Sequence, residues 1–263
     1  MCSDSQREFT EISAGFDKIC EGVLAGLCYS RFVMNFKRKI QNSRRILWVA
    51  LIVGLGNGVH ANDGQFWSAA MLKHRVNADW SATWRAEPRF TDNFENIGTV
   101  FLRASVARPL NNWTTMAISY THLDVRKYDP LAGLGNFREQ HWAGVGVVGK
   151  FALTPRWTFK SRNNLHLRWI ENRNGPNIRT RHYLEMAWSP ENSRRIRGFY
   201  AGNEFFNEIA HKATPENRFT PLGARLKVND RTNLTLFYLI RSTKPRGEWQ
   251  HAHVFGTYFI HSI

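Results

Sequence analysis

Histidine and serine side chains are the residues of this chain that could perform acid–base or nucleophilic chemistry. A Ser–His or Asp–His pair cleaves esters or peptides when a third group orients the base. Serines in predicted strands, such as Ser105 and Ser161, have no such motif around them. The candidate bases are His166, His182, His211, His251 and His253. Because no nucleophile–base–orienter spacing occurs, we predict no catalytic residue and no enzymatic activity.

Metal and cofactor motifs are equally sparse. His251 and His253 are two residues apart, so both face one side of a strand, but two histidines without a nearby carboxylate are a weak metal signal. His182 lies at an apolar position of its segment and is expected at a rim. The chain has no G-x-G-x-x-G, P-loop or EF-hand motif. We therefore expect neither a cofactor nor a metal.

The stretch LTPRWTFKSRNNLHLRWIENR (153–173) shows which elements would position charged groups. Odd positions carry apolar residues such as Trp157, Leu167 and Trp169, whereas even positions carry polar ones such as Lys160 and Arg168. A period of two is that of a β-strand with one apolar and one charged face. A soluble sheet exposes the charged face, whereas a barrel in lipid turns its apolar face outward.

The same alternation recurs in about eleven segments as far as the end of the chain. The segments WSATWRAEPRF (80–90) and GTVFLRASVAR (98–108) are examples. No segment reads as an amphipathic helix or as an apolar span of about 18 residues. The fold class predicted is all-β, as a single antiparallel transmembrane β-barrel of about 10–12 strands. A soluble periplasmic β-barrel or sandwich that binds a ligand is the alternative.

Connections between these segments alternate in length, which favours the membrane barrel. Short turns at RPLNN, LTPR, SPENSRR and VNDR alternate with longer loops at VRKYDPLAGLGN, ENRNGPNI, EIAHKATPEN and STKPRGE. Tryptophans adjoin the short turns, as expected of rings at a membrane interface: Trp80, Trp113, Trp157 and Trp188. With both termini in the periplasm, such a barrel needs an even number of strands, so a count of eleven predicts one miscounted strand.

The first 61 residues have the features of an export signal. Basic residues precede the apolar run ILWVALIVGL (46–55), and Val59-His60-Ala61 resembles a cleavage site. We predict a mis-assigned or disordered extension at 1–33, a signal peptide at 34–61 and an outer-membrane barrel at 62–263. All three cysteines precede residue 29, so no disulfide framework is expected in the mature chain.

Positive charge dominates the predicted inner face, as it does the whole chain, with 36 Lys+Arg against 21 Asp+Glu. The lumen-lining candidates are Arg85, Glu87, Arg103, Lys160, Arg162, Arg168, Arg179, Arg181, Glu185, Glu204 and Arg225. These side chains either form structural ion-pair ladders or line a narrow passage that favours small anions. A hydrolase of lipids or peptides is the remaining alternative. Nucleic-acid binding is not expected, because the charge is spread along alternating positions.

Several segments resemble a Gram-negative family known as domain of unknown function twenty-four ninety. They are NADWSATWRAEPRF, RNNLHLRW, RTRHYLE, GNEFFNE and ENRFTPLGARLKVNDRTNLTLFYL, and the likeness covers most of residues 64–260. The resemblance implies an outer-membrane barrel and brings no catalytic set. The partners expected are outer-membrane lipid and the barrel-assembly machinery. That machinery usually meets a terminal aromatic residue, whereas this chain ends at Ile263, so Tyr258 or Phe259 would take that role.

Overall fold

A computed structural model describes residues 63–126, 128–129, 133–209, 213–244 and 247–263. The described residues form strands joined by turns and contain no helix. In this part of the chain, therefore, no helix is long and apolar enough to cross a membrane. The strands are β1 (Asp63–Arg75), β2 (Ser81–Thr91), β3 (Asn96–Pro109), β4 (Thr114–Val125), β5 (Tyr128–Asp129), β6 (Gly133–Leu134), β7 (Arg138–Ala152), β8 (Trp157–Ile170), β9 (Asn177–Trp188), β10 (Ile196–Glu208), β11 (Ala213–Lys227), β12 (Thr232–Thr243) and β13 (Gln250–Ser262).

Eleven of these strands close into one barrel, which confirms the predicted all-β barrel fold. Each barrel strand pairs with its sequence neighbours, and β4 pairs directly with β7, because β5 and β6 form a separate two-stranded ribbon. The barrel closes by a parallel seam between β1 and β13, with Phe66 opposite Phe255. The expectation of an even strand number is therefore wrong. Eleven up-and-down strands leave the first and last pointing the same way, and parallel pairing accommodates this direction.

Two rims follow from the order of the strands. The turn rim holds connections 76–80, 110–113, 153–156, 189–195 and 228–231, and the loop rim holds 92–95, 126–137, 171–176, 209–212 and 244–249. The predicted loop EIAHKATPEN is mostly strand, since β10 extends to Glu208 and β11 begins at Ala213. The predicted difference in length between the connections of the two rims therefore depends mainly on connection 126–137.

Four connections on the turn rim share one local design. The side-chain oxygen of Asn77, Asn111, Thr154 or Asn229 accepts hydrogen bonds from the backbone N–H groups two and three residues later. Asn and Thr favour turns because their short side chains can replace a missing backbone partner in this way. The repeated turn fixes where each hairpin reverses and hence the register of the strands that follow.

Strand alternation gives the barrel a filled interior and an apolar outside. One interior cluster contains Trp67, Phe237, Leu239 and Val254, and the other contains Phe101, Leu123 and Trp142. Val254 is completely buried, and Trp67 is 2% exposed. The outward positions of the same strands carry exposed apolar side chains. The hydrophobic core of this molecule therefore occupies the inside of the barrel, which in an open pore would be filled with water.

Residues 1–62 lie outside the described residues, so the predicted extension and signal peptide stay predictions.

Candidate functional site: the charged interior

The inner face carries most of the charged side chains predicted to line the barrel. On β8, Lys160 and Arg168 turn inward to carboxylates, whereas Leu167 and Trp169 are exposed on the outside. This arrangement follows from the period of two along the strand. The same alternation supplies charged groups from β2, β9, β10, β11 and β12 to the interior.

Glu87 forms the centre of an ion-pair group built within a single strand. It is fully buried and accepts hydrogen bonds from Arg85 and Arg89, which flank it two residues away on the same face of β2. The Arg89 Nε lies 2.6 Å from Glu87 Oε1. The Arg89 guanidinium also lies 4.1 Å from the ring centre of Trp67, within the range of a cation–π contact. The carboxylate thus lies between two guanidinium groups, each of which also packs against an aromatic ring: Arg85 on Tyr258 and Arg89 on Trp67.

Glu204 and Glu216 form a larger group that links five strands. Glu204 on β10 contacts Arg162, Arg181 and Arg218 at 2.8, 2.9 and 3.7 Å. Arg218 bridges to Glu216 at 2.7 Å. Glu216 is also contacted at 2.8 Å by Arg241 on β12. Ion pairs therefore connect the side chains of strands β8 to β12 across the interior. They join strands such as β8 and β10, which are not hydrogen-bonded to each other.

Two further carboxylates are bracketed in the same way. Glu208 Oε1 accepts from Arg168 at 2.9 Å and from Arg179 at 2.6 Å. A charge-assisted hydrogen bond of this length is stronger than a neutral one.

Glu185 on β9 is the second of these carboxylates. It lies 2.6 Å from Arg225 and 3.5 Å from Lys160, and the Tyr183 hydroxyl donates to it at 2.7 Å. Every inner carboxylate described so far has at least two cationic partners.

The five carboxylates together contact ten cations, so positive charge is in excess. The cations are Arg85, Arg89, Lys160, Arg162, Arg168, Arg179, Arg181, Arg218, Arg225 and Arg241. Arg103, another predicted candidate, donates to the Ser119 hydroxyl at 3.0 Å instead. A buried charge needs partners, and here the acids are fully partnered while the cations share them.

Of the acids predicted to line the lumen, Glu204 contacts both Arg162 and Arg181, whereas Glu185 contacts neither. The stagger of the strands explains the difference, because Glu185 lies opposite Lys160 in the register of β8 and β9. A long arginine side chain then reaches past the adjacent strand to β10.

Five members of the network are not among the lumen-lining candidates: Arg89, which shares the inner face of β2 with Arg85 and Glu87, and Glu208, Glu216, Arg218 and Arg241. Glu208 and Glu216 belong to the segment EIAHKATPEN, which was predicted to be a loop. Glu208 lies four residues after Glu204 and therefore on the same face of β10. On β11 the register shifts between Phe219 and Leu222. Even-numbered residues therefore face inward before the shift, and odd-numbered residues face inward after it. Pro221 lies inside that shift and was the available signal for a bulge.

The histidines considered for catalysis do not form a catalytic group in the described residues. His166 is buried inside against Trp142, with ring centres 5.6 Å apart. His182 lies in the middle of β9, not at a rim, and bonds Asn163.

The remaining candidates lie near the loop rim. His251 Nδ1 is 2.9 Å from the Ser242 hydroxyl, and His253 Nδ1 is 2.5 Å from the Tyr238 hydroxyl. Neither histidine forms an ion pair with a described carboxylate that could orient it. His211 lies outside the described residues.

The four tryptophans predicted to mark an interface lie together at the turn rim. Trp80 and Trp113 end their turns, Trp157 begins β8, and Trp188 ends β9 directly opposite Trp157. At the other end of the barrel, Phe66, Phe90 and Phe255 form an outward group across the seam. Between these two aromatic rows, exposed aliphatic side chains cover the outer face: Leu102, Val106, Ile118, Val145, Leu167, Leu184, Leu222 and Leu236.

Comparison with known proteins gives a family and two structural resemblances. Among curated proteins nothing matches the chain. The solved structure titled bacterial polysaccharide outer membrane secretin is 12% identical, with a TM-score of 0.44 over 67% of this chain and 62% of that chain. This chain therefore spans less than two thirds of that protein. The β domain of the Bordetella autotransporter Brka is 10% identical, with a TM-score of 0.42 over 75% of this chain and 96% of that chain.

The family assignment comes from the sequence itself. The family model described as protein of unknown function (DUF2490) matches residues 64–252, which is nearly the whole barrel. The match confirms the resemblance carried by segments such as GNEFFNE and RTRHYLE. The chain belongs to the DUF2490 family.

Proposed function

We propose that the chain is an integral β-barrel of the bacterial outer membrane whose interior is closed to solutes by ion pairs and aromatic rings. The observation that carries this proposal is the bracketing of all five inner carboxylates by cations, inside a barrel with an apolar outer face. A closed barrel satisfies all backbone hydrogen bonds between its strands, as a lipid environment requires.

The outer face supports the membrane location. Leu102, Ile118, Val145, Leu184 and Leu222 are each more than 40% exposed, and they come from five different strands. Soluble monomers rarely expose a continuous apolar patch of more than a few hundred Å². A belt of this kind around a barrel is stable in hydrocarbon, with the aromatic rows at the headgroup level.

The filled interior supports the closed state. Trp67, Phe206, Glu87, His166 and Val254 are each at most 2% exposed. Arg181 and Arg218 lie 4.7 and 4.5 Å from the ring centre of Phe206, so arginines and aromatic rings pack as layers. Contacts of this kind fill the interior with side chains, as a closed barrel requires.

Conductance in a planar lipid bilayer tests the closed interior. The purified mature chain, refolded and inserted, is expected to give no stable channel steps. Insertion is verified separately by protease protection of the strands in vesicles. A sustained current from inserted protein would contradict the closed interior while leaving the membrane location intact.

A narrow passage that favours anions is the second candidate, and the excess of cations favours it. The Nε atoms of five inner arginines have no hydrogen-bond partner among the described residues: Arg85, Arg162, Arg168, Arg179 and Arg181. Surplus positive charge with free donors attracts anions.

The double variant Arg162→Gln, Arg181→Gln tests this passage, because Glu204 keeps Arg218 as a partner. A reversal potential in a salt gradient that loses anion preference supports the passage. Selectivity that is unchanged in a conducting barrel contradicts it.

Export and assembly complete the proposal. We expect the signal at 34–61 to be removed, so that N-terminal sequencing of outer-membrane protein begins at Asn62.

Phe259 is half-exposed on the outer face of β13, whereas Tyr258 packs inside against Phe237, with ring centres 4.7 Å apart. The assembly machinery would therefore recognise Phe259. Phe259→Ala should lower the folded fraction in the membrane more than Tyr258→Phe, and an equal effect would contradict this role.

A further inference from the structure

Four side chains converge on the outer face of the β4–β7 pair, close to the loop rim. His122 lies directly opposite His141, and Asp124 lies directly opposite Glu139. Side chains two residues apart on a strand share a face, so these four groups form one patch. The loop between the two strands separates the four residues into His-x-Asp and Glu-x-His in the sequence, and only the strand pairing brings them together.

The carboxylate of Glu139 is central to this patch. Its Oε1 atom lies 3.4 Å from His122 Nδ1 and 3.0 Å from His141 Nε2. One ligand atom from each of these three residues lies within 4.8 Å of the other two. Ligands about 2.0–2.2 Å from a tetrahedral zinc ion lie roughly 3.3–3.6 Å from one another. We propose that His122, Glu139 and His141 bind a divalent transition metal ion, with zinc the preferred occupant.

The remaining nitrogen of each imidazole already has the partner that a metal ligand requires. His122 Nε2 lies 3.2 Å from Asp124 Oδ2, and His141 Nδ1 lies 2.6 Å from the Tyr120 hydroxyl. Ligating histidines usually donate their second N–H to a carboxylate or another oxygen, which fixes the ring and its tautomer. Asp124 and Tyr120 are therefore positioning residues, and they leave His122 Nδ1 and His141 Nε2 free to bind the ion.

Charge gives a separate reason for a cation here. Asp124 and Glu139 face each other directly across the strand pair, and like charges in that position destabilise a sheet. Among the described residues, the ion pairs of both carboxylates are with histidines alone. A divalent ion between them would offset the repulsion. Two histidines and one carboxylate leave a fourth position of a zinc ion open to water.

The site goes beyond the proposed function and does not depend on it. The ligands are on the outer face, so an open interior would leave them unchanged. His141 and Glu139 are 41% and 49% exposed, and their place at the start of β7, next to the loop rim, lets ions reach them from the aqueous phase. A failed conductance test and a failed metal test therefore report on different parts of the molecule.

Metal titration of the folded barrel in detergent tests the site. The protein is stripped with a chelator and titrated with zinc chloride by calorimetry and with cobalt chloride by visible absorption. We expect one equivalent of either ion and a cobalt spectrum typical of four-coordinate geometry. His141→Gln and Glu139→Gln should each weaken zinc binding by at least about tenfold, and Tyr120→Phe should weaken it by about tenfold.

His253 provides the matched control. It also lies on the outer face near the loop rim and also stacks on a tyrosine, Tyr238, to which it is hydrogen-bonded, but no described carboxylate contacts it. His253→Gln should leave zinc binding unchanged. Absence of zinc binding by the unaltered protein, or equal weakening by His253→Gln and His141→Gln, would overturn the proposal.

Discussion

A single carboxylate inside the barrel organises several cations, and Glu204 shows this most clearly. It is 8% exposed and contacts Arg162, Arg181 and Arg218 from three different strands. A buried ion pair adds little net stability compared with apolar packing, but removing one partner leaves an uncompensated charge. The network is therefore sensitive to loss of an acid more than to loss of any one arginine, because each acid serves at least two cations.

Glu204→Gln is expected to lower the free energy of unfolding by about 3–5 kcal/mol, since three guanidinium groups lose their shared anion. Urea unfolding of the barrel in detergent, followed by tryptophan fluorescence, measures the change. The control is Glu191→Gln. Glu191 pairs with Arg156 on the turn rim, where both side chains are about half exposed, so its loss should cost about 0–1 kcal/mol. Similar costs at both sites would contradict a closed interior.

Gly256 shows how the rings inside the barrel are accommodated. It lies on β13 directly opposite Phe237, and a Cβ atom at Gly256 would lie 2.0 Å from the Phe237 ring. Gly256→Ala is therefore expected to cost about 1–3 kcal/mol by overpacking. In the same urea assay, adding Phe237→Leu should recover part of that loss, because it shortens the obstructing side chain. No recovery would mean that the ring is not the cause.

At the scale of the strand, the assignment of faces makes the sharpest prediction. Val145 is 41% exposed at the middle of β7, and Val145→Arg should cost about 2–4 kcal/mol in a bilayer. Leu110→Arg on the turn rim is the control and should cost about 0–1 kcal/mol. Refolding into lipid vesicles across a denaturant series measures both. Equal small costs would favour a soluble barrel.

Alternation along a strand was enough to predict which side chains face inward on β8, because nothing interrupts the period of two there. It failed on β11, because the register shift around Pro221 exchanges the positions that face inward and outward. Glu216 and Arg218, which precede the shift, were therefore not predicted to face inward. It could not give the partner of Arg162, which is Glu204 two strands away, because partners depend on stagger between strands. The metal patch was missed for the same reason: His122 and Glu139 meet only through the pairing of β4 with β7.

At the scale of the whole molecule, the odd number of strands separates the two ends of the barrel chain. β1 begins at the loop rim, whereas β13 ends at the turn rim. If the turn rim faces the periplasm, a peptide tag before Asp63 in the mature chain should be detected on intact cells. A tag after Ile263 should be detected only after the outer membrane is permeabilised. Detection of both tags from one side would contradict the parallel seam.

The parallel seam also limits how the gene of this protein can be rearranged. In a barrel with an even number of strands, the ends lie at one rim, and a short linker permits circular permutation. Here a linker would have to cross the barrel height, which for strands of about twelve residues at roughly 3.3 Å each, tilted by 35–45°, is about 30 Å. In the proposed membrane location, that linker would run through lipid or through the packed interior. Neither route accepts a polar peptide, so the order of the strands along the chain cannot be rotated without losing the barrel.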